Sequence, residues 1–246
     1  MKANSLFIRT LSGLVLVLVM VGMTLAWYDP ATGIPGWTFY LLWSVVGILS
    51  LAEFWRLLAQ HRDAVGLQRT FWVWALLGTL YIAQAFLLIQ TIDPMMVVTL
   101  MTVVWLSDTG AYLVGSAIGQ HKMAPVISPK KTWEGFAGGL LFAVATALVW
   151  YALDWSKQFD GAILTWGAEA YDSHVVYSLK WAGLGVIIGL AATAGDLIES
   201  KFKRIIGVKD SGRIIPGHGG MLDRFDALLL AVPVAWGYVR LTGLLG

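Results

Sequence analysis

The chain has 246 residues, of which 58% are hydrophobic and only 13% are charged, and its formal net charge is +2. With a mean hydropathy of +0.72, this composition is too apolar for a soluble globular protein and indicates a polytopic membrane protein. The absence of cysteine excludes disulfides and thiolate metal sites. No soluble stretch is long enough to offer a basic surface, so the sequence argues against nucleic-acid binding.

Seven segments are long enough to cross the hydrocarbon core of a bilayer, which takes about 20 apolar residues. We predict spans over Leu11–Trp27, Trp37–Leu58, Phe71–Ile89, Met95–Ile118, Gly135–Leu153, Trp181–Ile198 and Leu222–Leu244. The first span follows Lys2 and Arg9, as a signal peptide would. Its apolar stretch is longer than a usual signal core, however, and no clean small-x-small cleavage site follows it. We therefore expect a retained anchor and an all-α fold of about seven transmembrane helices.

The lysines and arginines are divided unequally between the two sides of these spans. If the N-terminus lies in the cytoplasm, fourteen of them fall on inside segments and only Lys157, Lys180 and Arg240 fall outside. The positive-inside rule then predicts a cytoplasmic N-terminus and an outside C-terminus. We expect the protein in a bacterial-type inner membrane. We expect one integral membrane domain over residues 1–246, with anchoring spans in 1–95, catalytic spans in 96–246, and cytoplasmic loops at 119–134 and 199–221.

Several acidic residues fall inside or at the ends of predicted spans, where an ionisable side chain is costly and indicates a function. Asp108 lies within the fourth span and Asp196 near the inner end of the sixth. Asp223 and Asp226 open the seventh span and share one helix face. Asp196 and Asp223 can lie at the same depth, because a cytoplasmic loop joins their spans. Together with Glu199 they are candidate ligands of Mg²⁺, which keeps coordination positions for water and phosphate.

A short basic segment, SPKKTWEG, precedes the fifth span and contains Ser128, Lys130, Lys131 and Thr132. Pro129 favours an extended approach to the span, and the hydroxyl of Thr132 is placed to cap the helix. A helix N-terminus beside two lysines can bind an anion. Lysine pairs at the inner end of a span also serve topology. The segment is a candidate phosphate site because it is predicted to lie on the same face of the membrane as the aspartates.

The most highly charged stretch runs from Ser200 to Asp226. Its cations attract phosphate and its grouped carboxylates attract divalent metal, while the glycines of GHGG allow backbone amides to approach a ligand closely. His218, between two of these glycines, can donate to a phosphate, although a histidine in a turn is commonly just solvated. The chain lacks the GxxxxGK[ST], GxSxG and HExxH motifs, so readings as an ATPase, a serine hydrolase or a zinc protease have no support.

These residues resemble the signature of the phosphatidate cytidylyltransferases, or CDP-diacylglycerol synthases. The signature runs from a serine through a Lys-Arg pair, Lys-Asp and a His-Gly-Gly turn to Asp-Arg-x-Asp. The chain supplies Ser200, Lys203-Arg204, Lys209-Asp210, His218-Gly219-Gly220 and Asp223-Arg224-Phe225-Asp226 in that order. The blocks WLSDTGAYLVG and SPKKTWEG are also similar to the family's, so the resemblance covers residues 100–235.

The resemblance implies that CTP and phosphatidic acid react to give CDP-diacylglycerol and pyrophosphate, with Mg²⁺ required. It leaves a second cation and a homodimer open. With the charge pattern, it indicates catalytic roles for Asp108, Lys209, Asp223 and Asp226, and metal binding by Asp196, Glu199 and Asp223. The candidate substrate-binding residues are Ser128, Lys130, Lys131, Thr132, Lys203, Arg204, His218, Gly219, Gly220 and Arg224.

Two other functions are compatible with carboxylates inside the membrane. A CTP-dependent polyprenol or phytol kinase would use a similar metal and nucleotide site, but the complete signature argues against it. An ion-coupled transporter would bind its ion at the aspartates within the spans, but the chain shows no internal symmetry of broken helices. Glu53 and Arg56, three residues apart at the inner end of the second span, are expected to form a local pair.

Overall fold

The computed structural model of the protein describes residues 2–29, 31–63, 69–153, 174–212, 214 and 219–244. These residues form seven helices and one antiparallel hairpin. The helices are α1 (Lys2–Leu25), α2 (Trp37–Gln60), α3 (Phe71–Ile89), α4 (Pro94–Ile118), α5 (Trp133–Leu153), α6 (His174–Ile205) and α7 (Leu222–Thr242). The hairpin lies between α4 and α5 and pairs β1 (Lys122–Ala124) with β2 (Ser128–Thr132).

Hydrophobicity accounts for the positions of most helices. α3 begins and ends where the sequence predicts, and the ends of α2, α4, α5 and α7 lie within about two residues of the prediction. By length and composition over the described residues, α2 to α7 can each cross a membrane, whereas the described apolar part of α1, Leu11–Leu25, is shorter. The fold is the predicted all-α, multi-pass membrane architecture, with a small hairpin in the loop before α5.

α6 is the longest helix, with 32 residues. At 1.5 Å per residue it extends about 48 Å, well beyond a hydrocarbon core of roughly 30 Å. The sequence predicts this span to end at Ile198 and a loop to begin at residue 199, but the helix continues to Ile205. Its last turn contains Lys203 and Arg204, and the helix dipole favours positive charge at that end. The first part of the charged stretch therefore lies on a helix.

The most extensive helix contacts join α4 to α5, α5 to α6, and α6 to α7, while α2 and α3 pack on each other and α3 packs on α7. Contacts between aromatic rings join α2 and α3 to α6 and α7. Phe225 of α7 lies 6.0 Å from Trp43 of α2 and 6.3 Å from Phe86 of α3. Phe202 of α6 lies 5.4 Å from Phe54 of α2. The N-terminal helices are thus packed directly against the helices that carry the charged stretch.

α4 and α5 approach each other closely because small residues face the contact. A Cβ atom placed on Gly139 of α5 would lie 2.9 Å from the backbone oxygen of Ser107 on α4. Close contacts of this kind stabilise helix pairs in lipid, where apolar burial gives little driving force. Trp150 also donates from Nε1 to Oγ1 of Thr102 at 2.8 Å. These contacts fix the middle of α4, including Asp108, relative to α5.

Asp93 joins two connections at one end of the bundle. Its Oδ1 accepts the amide hydrogen of Met95 at 2.8 Å and caps α4, and its Oδ2 accepts the hydroxyl of Tyr28 at 2.8 Å. Tyr28 lies in the connection between α1 and α2. Burial raises the pKa of Asp93 above its ordinary value, and the hydrogen bonds from Tyr28 and the amides oppose that rise.

We expect Asp93→Ala to lower the free energy of unfolding by about 0.5–2 kcal/mol, because the helix cap is lost. Asp93→Asn should cost less, since asparagine caps as well as aspartate and carries no charge to bury. Because the pKa of Asp93 is raised in the folded state, the wild type should also lose some stability as pH rises through that pKa, and Asp93→Asn should not. Thermal melting in detergent measures both effects. Identical melting of Asp93→Ala and the wild type would contradict the capping role.

Candidate active site

Lys203, in the last turn of α6, lies between two carboxylates. Its Nζ is 2.5 Å from Oε2 of Glu199, one turn earlier on α6, and 2.7 Å from Oδ1 of Asp223 in the first turn of α7. None of the three side chains is more than 10% exposed. A buried charge is costly unless it is paired, so these ion pairs hold the ends of α6 and α7 side by side. The sequence predicts that Lys203 binds substrate phosphate, but here its ammonium group is engaged by protein carboxylates.

Asp223 uses both of its carboxylate oxygens. Oδ1 accepts from Lys203, and Oδ2 accepts the amide hydrogens of Ser211 at 2.8 Å and Gly220 at 2.9 Å. Both amides belong to the connection between α6 and α7. Gly219 has φ +87°, a conformation that favours glycine, and a Cβ on Gly220 would lie 2.1 Å from Oγ of Ser211. Glycine is therefore required at both positions.

Asp226 adds a further carboxyl group next to that of Glu199. Oε1 of Glu199 is buried and has no hydrogen-bond partner among the described residues, while Oδ1 of Asp226 accepts the amide hydrogen of Ala227 at 2.7 Å. Asp196 is close enough to Asp226 to interact with it electrostatically. Carboxylate oxygens are the donors that Mg²⁺ prefers. Within the described part of the chain, however, no three acidic, histidine or cysteine side chains converge as a metal-binding group.

An ion pair joins the basic segment before α5 to the acidic residues of α6. Nζ of Lys131 on β2 lies 2.7 Å from Oδ2 of Asp196, whose Oδ1 accepts the hydroxyl of Ser200 at 3.1 Å. The side chains of Lys131 and Asp196 are 24% and 32% exposed, so the pair remains accessible to a ligand. The two charged segments that the sequence shows far apart therefore meet at one place.

Asp108 of α4 and Arg224 of α7 lie near this ion pair. Both side chains are exposed, and Asp108 lies within electrostatic range of Asp196, Lys131 and Arg224. Asp108 therefore lies among charged side chains of the protein, which are the usual surroundings of an ionisable residue on a membrane helix. Four elements, α4, β2, α6 and α7, therefore contribute charged side chains to one region.

The basic segment has the local structure that its sequence predicts. It is extended as strand β2, and Oγ1 of Thr132 accepts the amide hydrogen of Gly135, the third residue of α5, at 3.1 Å. Thr132 is buried, so its hydroxyl is committed to this helix cap. Lys130 is exposed and Ser128 is half-buried. Lys131 is the member of this segment that reaches the acidic residues.

Two other predicted residues, Arg204 and Lys209, lie apart from these contacts. Arg204 donates from Nε to the carbonyl oxygen of Ile127 at 3.2 Å and from Nη1 to that of Val208 at 3.1 Å, which ties the hairpin to the end of α6. Lys209 is exposed and takes no part in the ion pairs described above. His218 lies outside the residues that the structure describes.

Glu53 and Arg56 of α2 also reach the α6–α7 connection, which sequence reasoning missed. Oε2 of Glu53 accepts the hydroxyl of Ser211 and the amide hydrogen of Leu222, each at 2.9 Å. Nη2 of Arg56 donates to the carbonyl oxygen of Ser211 at 3.0 Å. Their three-residue spacing indicates only a local pair. The available signal is that Glu53 is an acidic residue within a predicted span, which is the criterion that singles out Asp108.

The sequence pattern described as the Cytidylyltransferase family matches residues 80–242, more than half of the chain. The chain belongs to the cytidylyltransferase family. The matched region contains α4, the hairpin, α5, α6 and α7, and therefore every charged contact of the site except those made by Glu53 and Arg56. The family region and the structural site thus coincide, with two contributions from outside it.

Named relatives are similar over about half of this chain. The phosphatidate cytidylyltransferase of Staphylococcus aureus is 46% identical over 135 residues. Those of Staphylococcus saprophyticus and Staphylococcus epidermidis are 45% and 44% identical over 132 residues. Each match covers 54% of this chain and 44% of the relative, so the chain spans somewhat less than half the length of these relatives.

Lys203→Ala is expected to destabilise the protein by about 3–5 kcal/mol, because it leaves Glu199 and Asp223 buried without their cation. Lys201→Ala is the matched control, since Lys201 is exposed and only two residues away on α6. The yield of folded protein and its melting temperature in detergent measure the difference. Equal melting temperatures for the two variants would contradict the proposed contribution of the Lys203 ion pairs to stability.

Proposed function

We propose that this protein transfers the cytidylyl group of CTP to phosphatidic acid, giving CDP-diacylglycerol and pyrophosphate. The observation that carries the proposal is the ion pair between Lys131 and Asp196. It joins the basic segment before α5, which is a candidate phosphate site, to the group of carboxylates on α6 and α7. The family match over residues 80–242 and the names of the staphylococcal relatives support the same reaction.

The reaction is proposed to occur at the cytoplasmic face of a bacterial-type inner membrane. The Lys/Arg asymmetry favours that orientation, and the relatives compared above are bacterial. CTP is soluble and phosphatidic acid resides in the bilayer, so the site must lie where both can arrive. An interfacial position also agrees with α6, whose length exceeds the hydrocarbon core. A homodimer and a second cation remain predictions of the sequence.

The chemistry depends on alignment and charge neutralisation rather than on a protein nucleophile. An oxygen of the lipid phosphate attacks the α-phosphorus of CTP and forms a P–O bond. The bond from that phosphorus to the oxygen bridging to the β-phosphate breaks, and pyrophosphate leaves with the electron pair. A phosphate monoester has a second pKa of about 6, so the attacking group is largely ionised at neutral pH and needs no general base. In this proposal Lys131 and Arg224 would bind the phosphates.

Mg²⁺ is proposed as the cofactor, and the carboxylates fit it in part. Oε1 of Glu199 is buried beside Asp226 and has no hydrogen-bond partner among the described residues, and Asp196 lies within electrostatic range of Asp226. Asp223 would become a ligand only if its contacts with Lys203 and the two amides opened. Mg²⁺ commonly takes one or two carboxylates and completes its coordination with water and substrate phosphates, so two or three of these groups suffice. When bound, it would offset negative charge on the triphosphate.

The direct test supplies purified protein with CTP, phosphatidic acid and Mg²⁺ and measures both products. We expect pyrophosphate and CDP-diacylglycerol in equal amounts, their loss on chelation with EDTA, and recovery when Mg²⁺ is restored. Formation of CDP with a phosphorylated lipid alcohol would instead indicate a kinase. Folded protein that forms no CDP-lipid from any phosphatidic acid supplied would refute the proposed function.

Lys131→Ala should lower kcat/KM by about ten- to a hundredfold, because a charge-assisted contact is worth roughly 1.5–3 kcal/mol. Lys130→Ala removes the same charge from the neighbouring position of β2, whose side chain points to the opposite face of the strand and is exposed. We expect it to change activity much less. Initial rates at varied CTP and varied phosphatidic acid show which Michaelis constant rises. Equal losses in the two variants would mean that the segment contributes only general positive charge.

A further inference from the structure

We propose that Glu53 and Arg56 of α2 are positioning residues for Ser211 and for Leu222 at the start of α7, and hence for the reaction proposed above, on which this inference rests. Both residues precede residue 80, where the family match begins. Neither belongs to the charged signature of α6 and α7. Their contacts nevertheless fix the backbone from which that signature is presented.

Ser211 is the centre of these contacts and is only 1% exposed. Its amide hydrogen is accepted by Asp223, its hydroxyl hydrogen by Glu53, and its carbonyl oxygen accepts from Arg56. All three polar groups of one residue are therefore bound by charged side chains from two helices, α2 and α7. Ser211 is therefore a fixed point in the connection between α6 and α7.

The carboxylate of Glu53 also fixes the start of α7. Oε2 of Glu53 accepts the amide hydrogen of Leu222, the first residue of α7, at 2.9 Å. Met221, at the N-cap position of α7, provides no side-chain cap, so Glu53 supplies the missing acceptor from another helix. A negative charge at a helix N-terminus is also electrostatically favourable. One oxygen of Glu53 thereby sets the start of the helix that carries Arg224 and Asp226.

Glu53 is poorly explained as a residue selected for stability alone. It is 3% exposed, and its second oxygen, Oε1, has no hydrogen-bond partner among the described residues. A buried carboxylate oxygen without a partner costs free energy. The feature that compensates this cost is the placement of Ser211 and Leu222. An error of about 1 Å in such a segment can reduce turnover a hundredfold, because phosphoryl-type transfer depends on alignment.

The test compares Glu53→Ala, Glu53→Gln and Ser211→Ala with the wild type in detergent or nanodiscs. Ser50→Ala is the matched control: Ser50 lies one turn earlier on α2, is fully buried, and its hydroxyl has no partner among the described residues. Two measurements are made on each protein, namely hydrogen exchange of the peptides covering residues 211–222 and the kinetics of CDP-diacylglycerol formation. Glu53→Gln and Ser211→Ala remain informative if Glu53→Ala does not fold.

We expect Glu53→Ala to lose exchange protection in residues 211–222 and to lower kcat about tenfold or more, with a smaller change in the Michaelis constants. Glu53→Gln keeps an acceptor oxygen and should recover most of both losses, Ser211→Ala should show an intermediate effect, and Ser50→Ala should match the wild type. Unchanged protection in Glu53→Ala, or lost protection with wild-type turnover, would overturn the inference. A wild type that makes no CDP-lipid refutes the proposed function instead, while the exchange comparison still decides whether Glu53 fixes the segment.

Discussion

The buried ammonium group of Lys203 is the charge on which the arrangement of the site depends. Glu199, Asp223 and Asp226 lie together at the meeting of α6 and α7, where three formal negative charges would otherwise repel one another in a medium of low dielectric constant. Lys203 contacts two of them and allows the helix ends to approach. If all three carboxyl groups were ionised, the single cation would leave an excess of negative charge that a divalent cation could offset. A structural lysine and the proposed Mg²⁺ site are therefore compatible in the same cluster.

The site combines side chains carried by helices with a side chain carried by a short strand. α6 is a long helix that carries Asp196, Glu199 and Lys203 on a rigid support. The hairpin brings Lys131 to that support, and Arg204 binds the hairpin backbone from the end of α6. The acidic groups thus sit on helices, and Lys131, the proposed phosphate ligand, sits on a short strand. This division gives the carboxylates a fixed spacing while the basic side chain keeps partial exposure.

The sequence predicts the helices well and the contacts between them poorly. Long apolar runs locate α2 to α7 because hydrophobic length is a local property, and the cap of Thr132 on α5 is predicted because both partners lie within three residues. The continuation of α6 to Ile205 is missed because charged residues mark the end of an apolar run, not the end of a helix. The pairing of Lys131 with Asp196 and the contacts of Glu53 join residues far apart in the chain, and no local pattern encodes which distant partner a charge will meet.

The contacts of Glu53 have a consequence for biogenesis. Glu53 and Ser211 are separated by 158 positions in the chain. A ribosome adding about 5–20 residues per second makes Ser211 roughly 8–30 s after Glu53. During that interval the carboxylate of Glu53 lacks the hydrogen-bond donors that it contacts in the folded protein. The packing around Glu53 is therefore completed only when a segment 158 positions later has been made.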